Sequence, residues 1–253
     1  MEWWKKKEIK FWLEAGLALL LAITLWAAGA KGLLADESGK NSGQTSGAKA
    51  VQEETSQQEK EETSKEDAQE AIADGQYPIM GKSAVTVDQM VAFFESSGEE
   101  YPEEELAKGG ADSIEAFCQM YYDEATAEGV RPEVAFVQTM KETGWLQYGG
   151  DASIEQFNFA GIGTTGGGVP GNSYPDVRTG IRAQIQHLKA YATEDALVKE
   201  CVDDRYEYVK KGSAPYVEWL GQKENPTGAG WATGENYGYS IVDMIEKMEN
   251  MDK

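Results

Sequence analysis

The sequence predicts a mainly α-helical domain with a small loop or β-hairpin lobe, preceded by a transmembrane helix and a disordered linker. Three observations support this prediction. An apolar run lies near the N-terminus, a polar stretch without aromatic residues follows it, and the rest of the chain carries apolar residues at helical spacing between capping signals. We therefore divide the chain into an anchor or signal segment at 1–35, a linker at 36–76 and a folded domain at 77–253.

The N-terminal segment has four lysines followed by an apolar run from about Phe11 to Ala30, which only Glu14 interrupts. A helix of this length spans about 30 Å, the hydrocarbon thickness of a bilayer. Positive charge before the run favours an N-terminus inside the cell. We expect a single-pass membrane protein with its domain outside. The alternative is a cleaved signal peptide, because "WAAGA" offers small residues for cleavage, and the domain would then be secreted.

The segment 36–76 is polar, rich in glycine and serine in its first half and in glutamate in its second. It cannot bury enough apolar surface to offset the entropy cost of ordering the chain. A flexible coil of this length has a root-mean-square span of roughly 35 Å. It would hold the domain near the membrane while letting it reach a local volume.

Helical segments dominate the remainder of the chain. Thr86 to Gln89 and Asp112 to Glu115 match the capping-box pattern. Pro132 suits a first turn, and Gly144 suits the end of the same helix. Further helices are expected at about Val177–Ala192, after Pro215, and in a last segment that carries Tyr237, Ile241, Met244, Ile245 and Met248. Only the loop-rich piece from about Tyr148 to Tyr174 could form strands.

Composition excludes several classes of function. The formal net charge of -21 repels polyphosphates, so we expect no nucleic-acid partner. One histidine, His187, rules out a multi-histidine metal site, and its helical context predicts a packed or surface position. Two cysteines, Cys118 and Cys201, are too few for a metal cluster; they form either one disulfide or two small buried side chains. We predict no metal and no cofactor.

A glycine pattern, G-x-G-x-x-G, occurs at Gly161, Gly163 and Gly166. A phosphate-binding loop of this pattern needs a strand before it and a helix directly after it. More glycines and Pro170 follow instead, and they forbid that helix. Glycines here are better suited to turns that need positive φ or close backbone approach.

Glu142 is the residue best placed for chemistry. It lies at the C-terminal end of the helix that begins at Pro132, just before Gly144 and Trp145. The negative end of the helix dipole and desolvation by aromatic neighbours both favour the protonated carboxylic acid. Such an acid can protonate the leaving oxygen of a glycosidic bond. The alternative is a solvated glutamate at a helix end.

Three segments of the chain resemble a known family. "VRPEVAFVQTMKETGWLQYGG" and "FNFAGIG" resemble the signature of the glucosaminidase family, bacterial endo-β-N-acetylglucosaminidases with a lysozyme-like fold. In that family a helix ends in Glu followed by Ser/Thr-Gly, and a later loop carries Asn-Phe/Leu-Phe-Gly-Ile, which 157–162 match inexactly at Ala160. "WATGENYGYSI" resembles the family's Tyr-Ala-Thr-Asp-x-x-Tyr segment and places Tyr237 on its functional tyrosine. The resemblance extends from about Val85 to Met248.

This resemblance implies a hydrolase of cell-wall peptidoglycan that cuts after N-acetylglucosamine, with Glu142 as general acid. Tyr237 is the second catalytic candidate. A second carboxylate could activate water, and Asp151, Glu155 and Asp176 lie in or beside the loop that would face Glu142. Asp176 could equally be a helix N-cap, and Glu155 could simply be solvated. The other route is attack by the sugar's own 2-acetamido group, with Tyr237 orienting that group.

Residues near these motifs are the candidates for substrate binding, because sugar rings stack on aromatic planes and the 157–162 loop would form a cleft wall. They are Trp145, Phe157, Asn158, Phe159, Gly161, Tyr174 and Trp231. For any one aromatic residue, packing in the core is the alternative. The partners predicted are peptidoglycan glycan strands and, through the N-terminal helix, the membrane.

Two other functions are also compatible with the sequence. A muramidase or lytic transglycosylase could use the same acid on the same fold. A non-catalytic wall-binding or scaffold protein is the alternative from another class, with Glu142 vestigial.

Overall fold

The computed structural model describes residues 76–165 and 167–251. Six α-helices lie in these ranges: α1 (Val87–Glu95), α2 (Glu103–Leu106), α3 (Ile114–Glu128), α4 (Pro132–Thr143), α5 (Val177–Ala192) and α6 (Tyr237–Glu249). Short 3-10 turns occupy Ala107–Gly109, Ile154–Gln156, Tyr206–Tyr208 and Val217–Leu220. Within the described ranges there are only isolated β-bridges and no regular strand. The mainly helical prediction is therefore confirmed.

Local capping explains most of the helix boundaries. Thr86 and Gln89 form the predicted capping box of α1. Pro132 is the first residue of α4, and Gly144 ends that helix in the left-handed conformation. The predicted position of the second helix cap is wrong by one residue. Ser113, not Asp112, caps α3, because its hydroxyl accepts from the Ala116 amide at 3.2 Å.

The core is built around α3, which packs against α1, α4 and α5. Phe117 and Tyr121 project from α3 and are fully buried, with ring centroids 5.1 Å apart. Phe159, in the loop after α4, packs on Phe117 with ring centroids 5.2 Å apart. Helix α6 closes the other side against α4 and the 217–220 turn. This arrangement brings the end of α4 and the start of α6 together.

The loop 148–174 does not form the predicted hairpin in the part that the structure describes. The side chain of Asn158 replaces strand pairing: its Nδ2 donates to the Ile162 carbonyl at 2.9 Å and to the Asn172 carbonyl at 3.1 Å. Its Oδ1 accepts from the Ile162 amide at 3.0 Å. Because one buried amide satisfies these backbone groups, the loop folds as linked turns.

Gly180 lets this loop approach α5. A Cβ atom at Gly180 would lie 1.8 Å from the Phe157 carbonyl oxygen, which no side chain could tolerate. Phe157 itself has a positive φ of 49° and is buried. The close backbone approach expected of the glycine-rich stretch is therefore also made possible by a glycine of α5.

Buried carboxylates fasten the segment after α5 to α3. Glu124 is almost fully buried and pairs with Arg178, Arg182 and Lys199. These cations and their hydrogen bonds hold the pKa of Glu124 low, at about 2, against the effect of burial. Glu128 pairs with Lys189 at 2.9 Å and accepts from the Val198 and Lys199 amides. The irregular chain at 198–199 is thus attached to α3.

The predicted anchor and nearly all of the linker lie outside the described residues. Among the residues that are described, no helix is long and apolar enough to cross a membrane. Tyr77, the predicted first residue of the domain, donates from its backbone amide to Glu218 and contacts Glu133 and Glu249 through its hydroxyl.

Of the two alternatives for the cysteines, the structure has no disulfide between them. Both cysteines are free thiols, Cys118 buried and Cys201 exposed. Cys118 faces the core from α3, and burial raises the pKa of its thiol. Cys201 lies on the irregular segment after α5, which the Glu124 and Glu128 contacts hold in place.

Candidate active site

Glu142 is the penultimate residue of α4, and the chain directly after it has an unusual backbone. Trp145, Leu146 and Tyr148 all have positive φ, at 60°, 65° and 57°. Thr143 stabilises this left-handed turn, because its Oγ1 accepts from the Leu146 amide at 2.9 Å and donates to the Thr139 carbonyl at 2.7 Å. Such conformations cost about 1–3 kcal/mol each and concentrate at functional sites. The turn fixes the direction in which the end of α4 faces.

The carboxylate of Glu142 combines solvent access with a desolvating environment. The residue as a whole is exposed, yet protein atoms surround its carboxylate closely enough that desolvation raises the pKa above the ordinary glutamate value. A hydrogen bond from Tyr237 and the charge of Lys141 act in the opposite direction and are weaker. A group that a ligand can reach and that retains a proton at higher pH than usual is suited to general acid catalysis.

Tyr237 is the direct partner of Glu142. Its hydroxyl donates a hydrogen bond to Glu142 Oε1. Burial raises the pKa of Tyr237 well above its usual value, so the hydroxyl keeps its proton. Gly238 positions this residue, because a Cβ there would lie 2.1 Å from the Val217 carbonyl oxygen. Only glycine at 238 lets the first turn of α6 pack this closely on the 217–220 turn.

A buried chain of hydrogen bonds continues from Tyr237 into the core. Gln138 Nε2 donates to the Tyr237 hydroxyl at 3.1 Å, and Gln138 Oε1 accepts from Gln184 Nε2 at 2.9 Å. Gln184 Oε1 in turn accepts from Tyr121 and Thr139. Gln138 and Gln184 are fully buried.

This chain sets the direction of the Tyr237 proton. Since Tyr237 accepts from an amide N–H of Gln138, its single proton is directed to Glu142. The network therefore presents a fixed donor to Glu142. The sequence patterns do not predict either glutamine as a site residue, although Gln138 lies one turn before Glu142 and Gln184 lies among the apolar positions of α5.

The other candidate carboxylates have local roles in the structure. Asp176 caps α5, with Oδ1 accepting from the Thr179 amide at 2.7 Å. Glu155 is exposed and accepts from the Ser153 hydroxyl at 2.6 Å, and this hydrogen bond lowers its pKa. Asp151 accepts from the Gly168 amide at 3.1 Å. None of the three hydrogen-bonds to Glu142 or Tyr237 in the described part of the chain.

The 157–162 motif supports the loop and does not present side chains to a ligand. Phe159 is fully buried against Phe117 and Tyr121, so its ring offers no exposed surface for the predicted contact with a sugar. Asn158 is 1% exposed, and its amide makes hydrogen bonds within the loop that would compete with the predicted binding role. Phe157 is buried in contact with Gly109 and Val177. Gly161 has a φ of 61° and serves a turn.

The remaining aromatic candidates lie in two places. Trp145 is half-buried, lies tilted against Phe93 with ring centroids 5.0 Å apart, and lines a shallow groove between α1 and α6 with Met244. Tyr174 is buried, and burial raises the pKa of its hydroxyl above the usual range. Trp231 packs against His187 and Tyr191 of α5. Trp231 and its two neighbours are partly exposed, whereas Phe159 is fully buried.

These features define a candidate glycoside hydrolase site. A carboxylic acid with a raised pKa lies near the end of α4 within reach of a ligand, and a buried tyrosine at the start of α6 is its hydrogen-bond partner. A sequence profile of the glucosaminidase family, described as mannosyl-glycoprotein endo-β-N-acetylglucosaminidase, matches residues 118–250. This match covers more than half of the chain. The chain therefore belongs to the glucosaminidase family, as the three motifs predicted.

One relative is also found among curated proteins. It is described as an uncharacterized protein of Borreliella burgdorferi (strain ATCC 35210 / DSM 4680 / CIP 102532 / B31) and is 42% identical over 104 residues. The aligned region covers 41% of this chain and 51% of that relative, so the match spans about half of its length. No solved structure matches the chain.

Proposed function

We propose that this protein is a peptidoglycan hydrolase that cleaves the β-1,4 glycosidic bond after N-acetylglucosamine, with Glu142 as the general acid. The observation that carries the proposal is the Glu142–Tyr237 pair in a chain that belongs to the glucosaminidase family. Desolvation raises the pKa of Glu142, and this favours the protonated form that a general acid needs.

The catalytic step follows from the direction of the hydrogen bonds. Protonated Glu142 gives its proton to the glycosidic oxygen as the bond from that oxygen to the anomeric carbon breaks. The carboxylate that remains is stabilised by the hydroxyl of Tyr237, which Gln138 holds with its proton towards Glu142. Since this hydrogen bond strengthens as charge develops on Glu142, it favours the transition state over the ground state.

Products identify the bond that is cut. Digestion of purified peptidoglycan by the full chain, followed by borohydride reduction and mass spectrometry, should yield reduced N-acetylglucosamine ends. Reduced muramic-acid ends would show a muramidase instead, and anhydro-muramic ends a lytic transglycosylase. No new ends at all would favour the wall-binding or scaffold alternative.

For the other face of the sugar we propose attack by the substrate's own 2-acetamido group. Asp151, Glu155 and Asp176 each already accept a hydrogen bond from their own loop or helix, which supports this route over a second carboxylate. Attack by the acetamido group and then by water inverts the anomeric carbon twice. We therefore expect the β-anomer as the first product in proton NMR; the α-anomer would indicate a water-activating carboxylate.

We also propose that residues 1–35 anchor the protein in the cell membrane and that 36–76 tether the domain at 77–253 to this anchor, on the outside of the membrane. The basic and apolar pattern of the N-terminal segment supports this placement. A mature cell-associated protein that begins after Ala30 would show cleavage and would contradict the anchor.

A further inference from the structure

Helix α5 presents one face to the candidate active site. Gly180, Gln184, His187 and Tyr191 are spaced at i, i+4, i+7 and i+11, so they lie on one stripe of the helix. Gly180 receives the Phe157 loop, and Gln184 belongs to the hydrogen-bond chain that ends at Tyr237 and Glu142. His187 and Tyr191 continue this stripe. The basic residues that pair with Glu124 and Glu128 occupy the opposite side of α5.

Asp203 fixes the orientation of the His187 ring. Asp203 Oδ2 lies 2.6 Å from His187 Nδ1, and the Asp203 side chain is fully buried. Its other oxygen, Oδ1, accepts from the Arg205 amide at 2.9 Å. Nδ1 of the histidine is therefore committed to an internal partner, and Nε2 is the ring nitrogen that Asp203 does not use. The His187 side chain retains 13% of its exposure.

Two half-buried aromatic rings adjoin this histidine. Trp231 stands edge-on to the imidazole at a centroid distance of 4.8 Å, and Tyr191 lies 5.5 Å from it. Tyr191 and Trp231 are themselves 5.7 Å apart. The cluster continues the stripe of α5 on which Gln184 belongs to the hydrogen-bond chain that leads through Gln138 to Tyr237 and Glu142.

We propose that His187, Tyr191 and Trp231 form a carbohydrate-binding subsite next to Glu142, in which His187, held by Asp203, is a positioning residue for a sugar of the glycan strand. The proposal rests on the proposed function. Sugars present apolar C–H faces that pack on aromatic rings and hydroxyl groups that both donate and accept hydrogen bonds. A hydroxyl can therefore bond to Nε2 in either protonation state of the imidazole.

Two substitutions separate a ligand-binding role of His187 from a structural one. In His187→Asn the amide lies where Nδ1 was, so the contact with Asp203 is kept and the Nε2 position is lost. In His187→Gln the amide reaches the Nε2 position and the Asp203 contact is weakened. Tyr208→Phe is the control, because it removes one hydroxyl from an exposed ring and leaves the ring beside Arg205.

The full chain is assayed on glycan strands for kcat and KM, and its binding to an N-acetylglucosamine tetramer is titrated in calorimetry. His187→Asn should raise KM and the tetramer Kd about 5- to 10-fold, more than it lowers kcat, with a thermal midpoint near that of the wild type. His187→Gln should bind within about threefold of the wild type despite a lower midpoint. Tyr208→Phe should match the wild type.

The outcomes separate the two proposals. If the wild-type chain produces no N-acetylglucosamine ends, the proposed function fails, and the tetramer titration still tests the subsite. If His187→Asn binds the tetramer as tightly as the wild type does, the role of His187 is structural and the subsite is overturned. The same conclusion follows if His187→Asn preserves binding while His187→Gln loses it. A wild-type chain that does not bind the tetramer overturns it as well.

Discussion

Glu142→Gln should lower kcat on peptidoglycan by about 10²- to 10⁴-fold, the range that general acid catalysis supplies. A glutamine amide cannot give a proton to the leaving oxygen, but its Oε1 can still accept from the Tyr237 hydroxyl. The hydrogen-bond chain through Gln138 is therefore kept. Since Glu142 is exposed as a residue, the thermal midpoint should change little. Release of reducing ends under saturating substrate measures the effect.

The matched control is Glu95→Gln. Glu95 is the last residue of α1 and is exposed, so it shares the helix-end position of Glu142 but not its tyrosine partner. We expect its kcat to stay within about twofold of the wild type, as is usual for a surface substitution. An active Glu142→Gln protein, or an equal loss in both variants, would contradict the assignment of the acid.

Tyr237→Phe should lower kcat roughly 10- to 100-fold and shift the pH profile, because a hydrogen bond to a charged group contributes about 1.5–3 kcal/mol. The hydroxyl of Tyr237 lowers the pKa of Glu142, opposing the larger effect of burial. Its removal therefore raises this pKa further. Because the reaction needs protonated Glu142, the alkaline limb of kcat/KM should move to higher pH. The measurement is a pH–rate profile of both proteins on the same glycan.

Tyr239→Phe provides the comparison for this profile. Tyr239 lies two residues further along α6 and is 49% exposed. Its loss of a hydroxyl should leave both kcat and the alkaline limb in place. An alkaline limb of Tyr237→Phe that stays fixed, or that moves to lower pH, would show that the pair does not control the catalytic proton.

The helices that carry the site could be predicted because their boundaries are local. Pro132 and Gly144 delimit α4, and α5 runs from Val177 to Ala192 as its apolar spacing predicts. The position of Glu142 at a helix end follows from these signals alone. The sequence also indicates that Asp176 could be either a second carboxylate or a helix N-cap, and in the structure its side chain caps α5. Capping and periodicity depend on neighbours in sequence, so they can be recognised without a fold.

Contacts between distant segments could not be predicted in this way. The Glu142–Tyr237 contact joins residues 95 positions apart, and only the resemblance to the glucosaminidase family suggested that both belong to one site. The motif predicts Phe159 and Asn158 as cleft residues, but a motif does not state which way a side chain faces, and both side chains are buried. His187 fits an amphipathic helix, and its partner Asp203 lies in an irregular segment without a sequence signal.

The origin of the oxygen at the new reducing end tests the proposed reaction most directly. Peptidoglycan digested by the full chain in ¹⁸O-labelled water should release glycan fragments that end in N-acetylglucosamine and carry one ¹⁸O at the anomeric carbon. Glu142→Gln should release almost none in the same time. Fragments that end in muramic acid, anhydro ends without the label, or equal release by Glu142→Gln would contradict acid-catalysed hydrolysis after N-acetylglucosamine.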